Sequence, residues 1–127
     1  MGLDVTHGCW SGGYGHFNSF RKDIAAACGG SFPPHKEDVK AHEPDLAVSS
    51  RWFYDERVVP TEHVAGMLVL MRHSDCDGEI QPKEAEAVAG FLMWVEPRLA
   101  PAFRENARRF ASGCLVAASL NEPVEFH

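Results

Sequence analysis

The sequence predicts a single α+β domain over residues 1–127, predominantly helical, with about four helices and short strands near its two ends. Three observations lead to this fold class. The composition, 45% hydrophobic and 24% charged, is that of a globular chain with one core. Apolar residues recur at three- and four-residue spacing over much of the second half. Prolines and glycines stand where those patterns begin or end.

The first elements expected along the chain are a short strand, a loop and a helix. Residues 2–6 alternate weakly in polarity and end in β-branched residues, which is typical of a short strand. Residues 7–16 contain four glycines and are predicted to form a loop. An amphipathic helix follows and stops at Gly29 and Gly30, with Arg21 among the polar residues between its apolar ones. Its apolar face consists of Phe17, Phe20, Ile24 and Cys28.

The middle of the chain is predicted to be a long surface excursion. Residues 29–50 carry glycine, serine, three prolines and scattered charges. Because a structureless loop of that length is unusual in a small domain, a short helix is expected near residues 36–42. The aromatic residues 52–54 follow and are expected to pack against the core.

Three helices are predicted in the second half, each marked by proline at its start. They cover residues 60–72, 82–96 and 101–122. Residues 124–126 are expected to add an edge strand. The inward face of the last helix is expected to include Phe110, Cys114 and Leu115.

The charge balance and the cysteines limit the partners and the compartment. Twelve Lys and Arg against eighteen Asp and Glu give a net charge of −6, which does not fit a nucleic-acid-binding surface. The longest apolar run, Val64 to Met71, is far shorter than the ~20 residues that span a bilayer, so no membrane partner is expected. The four cysteines include no C-x-x-C pair, and no secretory signal is visible. We therefore expect a cytoplasmic protein with reduced thiols.

Ligand-type side chains are concentrated between the first two helices of the second half. Set against a calcium loop of the EF-hand type, Gly78 takes the sixth position, where the chain turns sharply. Asp75 and Asp77 then fall at the third and fifth positions, and Glu84 falls at the twelfth. His73 stands at the first position, where a hard cation takes a carboxylate, and this favours Mn²⁺ or Zn²⁺ over Ca²⁺. The pattern predicts a divalent-metal site with Asp75 and Asp77 as main ligands.

Two other interpretations of this stretch stay open. The spacing His73-x-Asp75-x-Asp77-Gly78 also resembles the first motif of the Asp-His-His phosphoesterases, in which aspartates hold Mn²⁺. The chain has no Asp-His-His triplet, so this interpretation extends only to a remnant of such a site. The same residues fit a plain turn in which an Asp side chain binds backbone N–H groups and Gly78 takes a positive φ. No nucleophile–base pair is recognisable, so the sequence identifies no catalytic residue.

The N-terminal segment is the second region with ligand-type side chains. Asp4, His7 and Cys9 lie close together along it, and a glycine-rich stretch follows. If this segment folds against the predicted metal loop, Asp4 or His7 would complete a metal shell. A strand, a glycine-rich loop and a helix in this order are also typical of phosphate-binding segments, but the lysine and the glycine spacing of those motifs are missing.

Two motifs resemble those of a group of small bacterial and phage-encoded proteins. One is the opening Met-Gly-Leu-Asp-Val-x-His-x-x-Trp, and the other is His-Ser-Asp-Cys-Asp-Gly-Glu-Ile at residues 73–80. The resemblance covers residues 1–24 and 73–80. That group has no established activity, so the resemblance implies a grouping and no particular reaction. It also implies that residues 4–10 and 73–78 belong to one shared feature.

A protein-interaction module is the competing function. In that case the loop at residues 73–78 is only a structural turn, and exposed aromatic side chains bind a protein partner. A metal site predicts stabilisation by a cation, whereas an interaction module predicts none. The aromatic residues proposed for the partner are Trp10, Tyr14 and Trp52.

Overall fold

The computed structural model describes residues 2–30, 54–74 and 77–127, which contain four α-helices and four short strands. The predicted fold class, a predominantly helical α+β domain with short strands near both ends, is confirmed. Short 3₁₀ helices lie at Thr6–Gly8 and Glu96–Arg98. In chain order the main elements are β1 (Gly2–Val5), β2 (Trp10–Gly13), α1 (Tyr14–Ala27), α2 (Thr61–Arg72), β3 (Glu79–Ile80), α3 (Pro82–Val95), α4 (Pro101–Ser119) and β4 (Val124–Glu125).

Helix α3 is the central helix of the second half and packs against both α2 and α4. Its apolar character follows from this position, because a helix covered on two sides buries residues on more than one face. Gly66 of α2 lies directly on the backbone of α3 at Ala87, where a side chain would not fit. The fully buried side chains that fill the core include Phe17, Phe20, Met67, Leu70, Phe91, Leu92 and Phe110.

The C-terminal tail, residues 124–127, joins two small antiparallel sheets. β1 pairs with β2 in one sheet, and β3 pairs with β4 in the other. An isolated bridge between Val5 and Phe126 connects them, and the backbones of Asp4 and His127 exchange two hydrogen bonds of 2.8 and 3.3 Å. The edge strand expected over residues 124–126 is confirmed: β4 forms one edge of the two-stranded sheet with β3. The isolated bridge at Phe126 also joins the tail to β1.

Two details of the sequence prediction are corrected by the structure, and others lie outside the described residues. The loop expected at residues 7–16 contains strand β2, because the glycines there pair with β1 rather than remaining irregular. Leu115, expected to point inward, is 45% exposed. The short helix expected near residues 36–42 lies outside the described residues, as do Trp52 and Phe53, while Tyr54 packs against the core.

The helices of the described residues were also compared with the length and hydropathy that a bilayer requires. In the part of the chain that the structure describes, no helix is both long enough and apolar enough to cross a membrane.

Gly66→Ala is expected to lower the free energy of unfolding by about 1–3 kcal/mol. The added Cβ would overlap the backbone of Ala87 where α2 and α3 meet. Gly90→Ala on α3 is the matched control, since a Cβ there meets no atom within 4 Å. Its expected effect is a gain of up to about 1 kcal/mol from helix propensity. Urea unfolding followed by circular dichroism measures both, and equal losses in the two variants would contradict the close helix contact.

Candidate functional site

The described part of the loop after α2 matches the metal-loop template at several positions. Helix α2 ends at Arg72, and α3 begins at Pro82, so the template spans the connection between two helices. Gly78, at the sixth position, has φ of +92°, a left-handed conformation that glycine adopts without strain. Ile80, at the eighth position, is fully buried and pairs with Val124. These features agree with a calcium-type loop in outline.

Glu84, at the twelfth position of the template, lies in the first turn of α3. It forms a capping box with Gln81, whose backbone N–H donates to Glu84 Oε1 at 3.1 Å. The Gln81 side chain in turn donates to Glu79 Oε1 at 2.9 Å. The Glu84 carboxylate is thus held at the start of the helix, where the positive end of the helix dipole stabilises its charge.

His73 shapes the loop from its first position. Its ring stacks on Phe126 with a centroid separation of 4.0 Å, and it also lies over Gly78. Nδ1 is 2.8 Å from the carbonyl oxygen of Ser74, and Nε2 is 3.3 Å from the carbonyl oxygen of Glu79. The Glu79 carbonyl stands at the seventh position, whose backbone oxygen is a metal ligand in calcium loops. In this conformation the imidazole therefore contacts the Glu79 carbonyl oxygen where a metal ion would bind it.

Arg21 of α1 fixes the point where α2 passes into the loop. Its guanidinium donates to the carbonyl oxygen of His73 at 2.6 Å and to that of Leu70 at 3.5 Å. These are carbonyls at a helix C-terminus, which a cation stabilises. The guanidinium also lies 4.7 Å from the ring centroid of Phe17. Arg21 is only 5% exposed, so its expected place on the polar face of α1 is wrong.

The burial of Arg21 has a signal in the sequence. Position 21 is four residues after Phe17 and three before Ile24, which places it within the apolar stripe of α1. A charged residue at such a position points to a buried partner. The stacking of His73 on Phe126 has no comparable signal, because the two residues are far apart in the chain.

An open cavity of about 330 Å³ lies beside the loop. It combines apolar side chains of α2 with charged and polar groups from the loop and from the start of α3. The structure thereby brings together two of the predicted ligands, His73 and Glu84, at the same cavity. The lining consists of Leu68, Val69, Arg72, His73, Glu79 and Glu84.

The remaining predicted ligands have other positions. Asp75 lies outside the described residues, and Asp77 belongs to the loop just before Gly78. Asp4 accepts a hydrogen bond from Ser11 Oγ at 3.0 Å within the N-terminal hairpin. His7 Nε2 lies 3.0 Å from Glu122 Oε1. Among residues 2–30, 54–74 and 77–127, no group of three or more His, Cys, Asp or Glu side chains is arranged around one ion position.

The C-terminal tail lies between the N-terminal segment and the loop after α2, and it pairs with both. β1 and β3 each pair with tail residues and not with each other. Phe126 N–H donates to the carbonyl oxygen of Gly78 at 2.9 Å, and Glu125 N–H donates to Thr6 Oγ1 at 2.9 Å. The tail therefore lies between the N-terminal segment that carries Asp4 and His7 and the loop after α2.

One of the three aromatic residues considered for a protein partner is buried in the core. Trp10 is 5% exposed and packs against Phe17 and Phe20 of α1. Tyr14 is half-buried against the core, and Trp52 lies outside the described residues. Trp10 as an exposed contact is thus a wrong prediction, since its ring belongs to the core.

Comparison of the chain with protein-family models, with curated proteins and with solved structures gives no match. The geometry described above is therefore the basis for the functional proposal.

Arg21→Met is expected to lower the free energy of unfolding by about 1–3 kcal/mol, because buried carbonyl oxygens lose their donor. The matched control is Arg109→Met on α4, where the side chain is exposed and pairs with the exposed Glu105. Its expected effect is within about 0.5 kcal/mol. Urea unfolding measures both variants. If Arg21→Met is as stable as Arg109→Met, Arg21 does not hold the end of α2.

Proposed function

We propose that this protein binds a divalent cation in the helix–loop–helix formed by α2, residues 73–81 and α3. One observation carries the proposal: Gly78 has a positive φ at the sixth position while Glu84 lies in the first turn of the next helix, at the twelfth. A calcium-type loop requires this combination of a sharp turn and a helix-borne carboxylate. The buried strand residue Ile80 between them supports the same frame.

The proposed ligands are mainly oxygen atoms. Asp77 and Glu84 supply carboxylates, Glu79 supplies its backbone carbonyl, and Asp75 supplies a further carboxylate on the strength of the sequence pattern alone. Oxygen ligands suit Ca²⁺ and Mn²⁺, whereas an imidazole among them suits Mn²⁺ and Zn²⁺. The proposal concerns binding, and it assigns no reaction to the site.

His73 sets the condition for binding. Its ring nitrogens face the carbonyl oxygens of Ser74 and Glu79, so a cation that uses the Glu79 carbonyl must displace the imidazole from it. The freed ring then either turns toward the ion as a ligand or leaves the site. Zn²⁺ and Mn²⁺ favour the first outcome, and Ca²⁺ favours the second.

A saturating cation is expected to raise the unfolding midpoint, since binding at 100 times the dissociation constant stabilises the folded state by about 2.7 kcal/mol. Thermal unfolding of chelator-treated protein in Ca²⁺, Mg²⁺, Mn²⁺ or Zn²⁺ measures this. Glu84→Gln is expected to abolish most of the shift, because it removes the carboxylate while glutamine also forms a capping box. Glu86→Gln, at an exposed position of the same helix, is the matched control and should keep the full shift. A shift that survives in Glu84→Gln would contradict the ligand assignment.

His73→Asp is expected to tighten Ca²⁺ binding by about tenfold or more, equivalent to about 1.4 kcal/mol. The change places a carboxylate at the first position and removes the imidazole from the Glu79 carbonyl. Calorimetric titration of both proteins with Ca²⁺ measures the ratio. If neither the wild type nor His73→Asp binds any of the four cations, the loop is a structural turn.

A protein-interaction module is the second candidate function, and one observation favours it. Val116 on α4 and Leu120, the residue just after the helix, are exposed about one helical turn apart, and the adjacent Leu115 is exposed as well. Neighbouring apolar side chains on a surface are typical of contact sites. We retain the cytoplasm as the proposed compartment, on the basis of the cysteine spacing.

A further inference from the structure

Two buried cysteines lie where the N-terminal hairpin packs against α4. Cys9 is 1% exposed and Cys114 is fully buried. The Cys9 thiol donates to the carbonyl oxygen of Phe110 at 3.6 Å. That carbonyl belongs to the helical turn leading to Cys114, four residues later. The Cys9 sulfur therefore lies on the turn of α4 that leads to Cys114.

Gly113 makes this approach possible. A Cβ at Gly113 would lie 2.5 Å from Cys9 Sγ and 2.7 Å from the carbonyl oxygen of His7. The chain segment at residues 7–9 therefore rests directly on the backbone of α4. This close approach puts Cys9 Sγ against the residue that precedes Cys114 in α4.

We propose that Cys9 and Cys114 form a reversible disulfide that links the N-terminal hairpin to α4 when the protein meets a hydroperoxide. The Cys9 sulfur attacks the peroxide, so its S–H is converted to S–OH and the hydroperoxide is reduced to an alcohol, or to water from hydrogen peroxide. The Cys114 sulfur then attacks the Cys9 sulfur and an S–S bond forms. The hydroxyl group of Cys9 leaves as water, taking the proton of the Cys114 thiol. A dithiol reverses the reaction by exchange.

The segment that carries Cys9 is the one that must open for the peroxide to enter. His7 has φ of 61° and Gly8 has φ of 75°, so two successive residues before Cys9 are left-handed. A non-glycine residue in that conformation costs energy that the surrounding contacts offset. Opening of this turn exposes Cys9 first, because Cys114 lies in the middle of a long helix.

The pair reacts slowly while the segment is closed. The hydrogen bond to Cys9 and burial both raise the pKa of the Cys114 thiol, and a thiol is far less nucleophilic than a thiolate. The disulfide is therefore a response to sustained oxidation and not a fast catalytic cycle. Cys28 is the internal comparison. Burial raises its pKa to about 11 as well, but the proposal gives it no disulfide partner.

The test is to treat the folded wild-type protein with hydrogen peroxide, block the remaining thiols with iodoacetamide, and map disulfides by mass spectrometry after digestion. The expected result is a linked peptide pair containing Cys9 and Cys114, while Cys28 is recovered alkylated. Treatment with dithiothreitol should restore both thiols. The linked form should also unfold at a higher urea concentration than the reduced form, because the cross-link restricts the unfolded chain.

Two variants separate the proposal from nonspecific oxidation. Cys28→Ala/Cys76→Ala keeps the pair and should form the same link, whereas Cys114→Ala should accumulate a dimedone-reactive sulfenic acid at Cys9. The proposal is overturned if Cys9 and Cys114 stay alkylated in the wild type, if they become sulfinic acids without a link, or if either one pairs with Cys28 or Cys76. The wild-type protein alone tests the proposal, so the result stands even if a variant folds poorly.

Discussion

The backbone pairing of the C-terminal tail is the constraint on which the rest of the candidate site depends. Residues 124–127 are bound to β1 on one side and to β3 on the other, so they hold the hairpin and the loop in one frame. Phe126 adds the ring on which His73 stacks. Without the tail, strand β3 would have no partner among the described strands, and the imidazole would lose one of its packing surfaces. The positions of Gly78, Glu79 and Ile80 are thus set by residues more than forty positions later in the chain.

Two side chains also contact backbone carbonyl oxygens at the loop, as a bound cation would. The Arg21 guanidinium binds the carbonyl at the entry, and the His73 imidazole faces the carbonyl at the seventh position. Such contacts arrange the carbonyl oxygens before any ligand arrives, which reduces the ordering cost of binding. If the proposed cation site is correct, these contacts also set a threshold, since a cation must bind the Glu79 carbonyl more strongly than the imidazole does. The proposal then makes specificity among cations depend on whether the displaced ring is a useful ligand.

The sequence predicts the helices well because their limits are local. Prolines mark the starts of α3 and α4, and apolar spacing gives the buried face of α1. The hairpin was missed because its partner strand determines whether glycine-rich residues pair or remain irregular, and pairing is not a local property. For the site, a spacing rule grouped His73 and Glu84 as ligands, and the structure places both at one cavity. Arg21 and Phe126 were not, because their contacts arise only when distant segments fold together.

The bridge between Val5 and Phe126 has a consequence for the order of folding. The contacts of α3 with α2 and with α4 join segments that are close in sequence, so these helices associate at a small loop-closure cost. The pairing of β1 with the tail closes a loop that spans nearly the whole chain, and contacts of that kind slow folding. During synthesis on the ribosome, the tail emerges after every other described element. We therefore expect the helical half to assemble first and the frame of the loop to be completed last, when the tail binds β1.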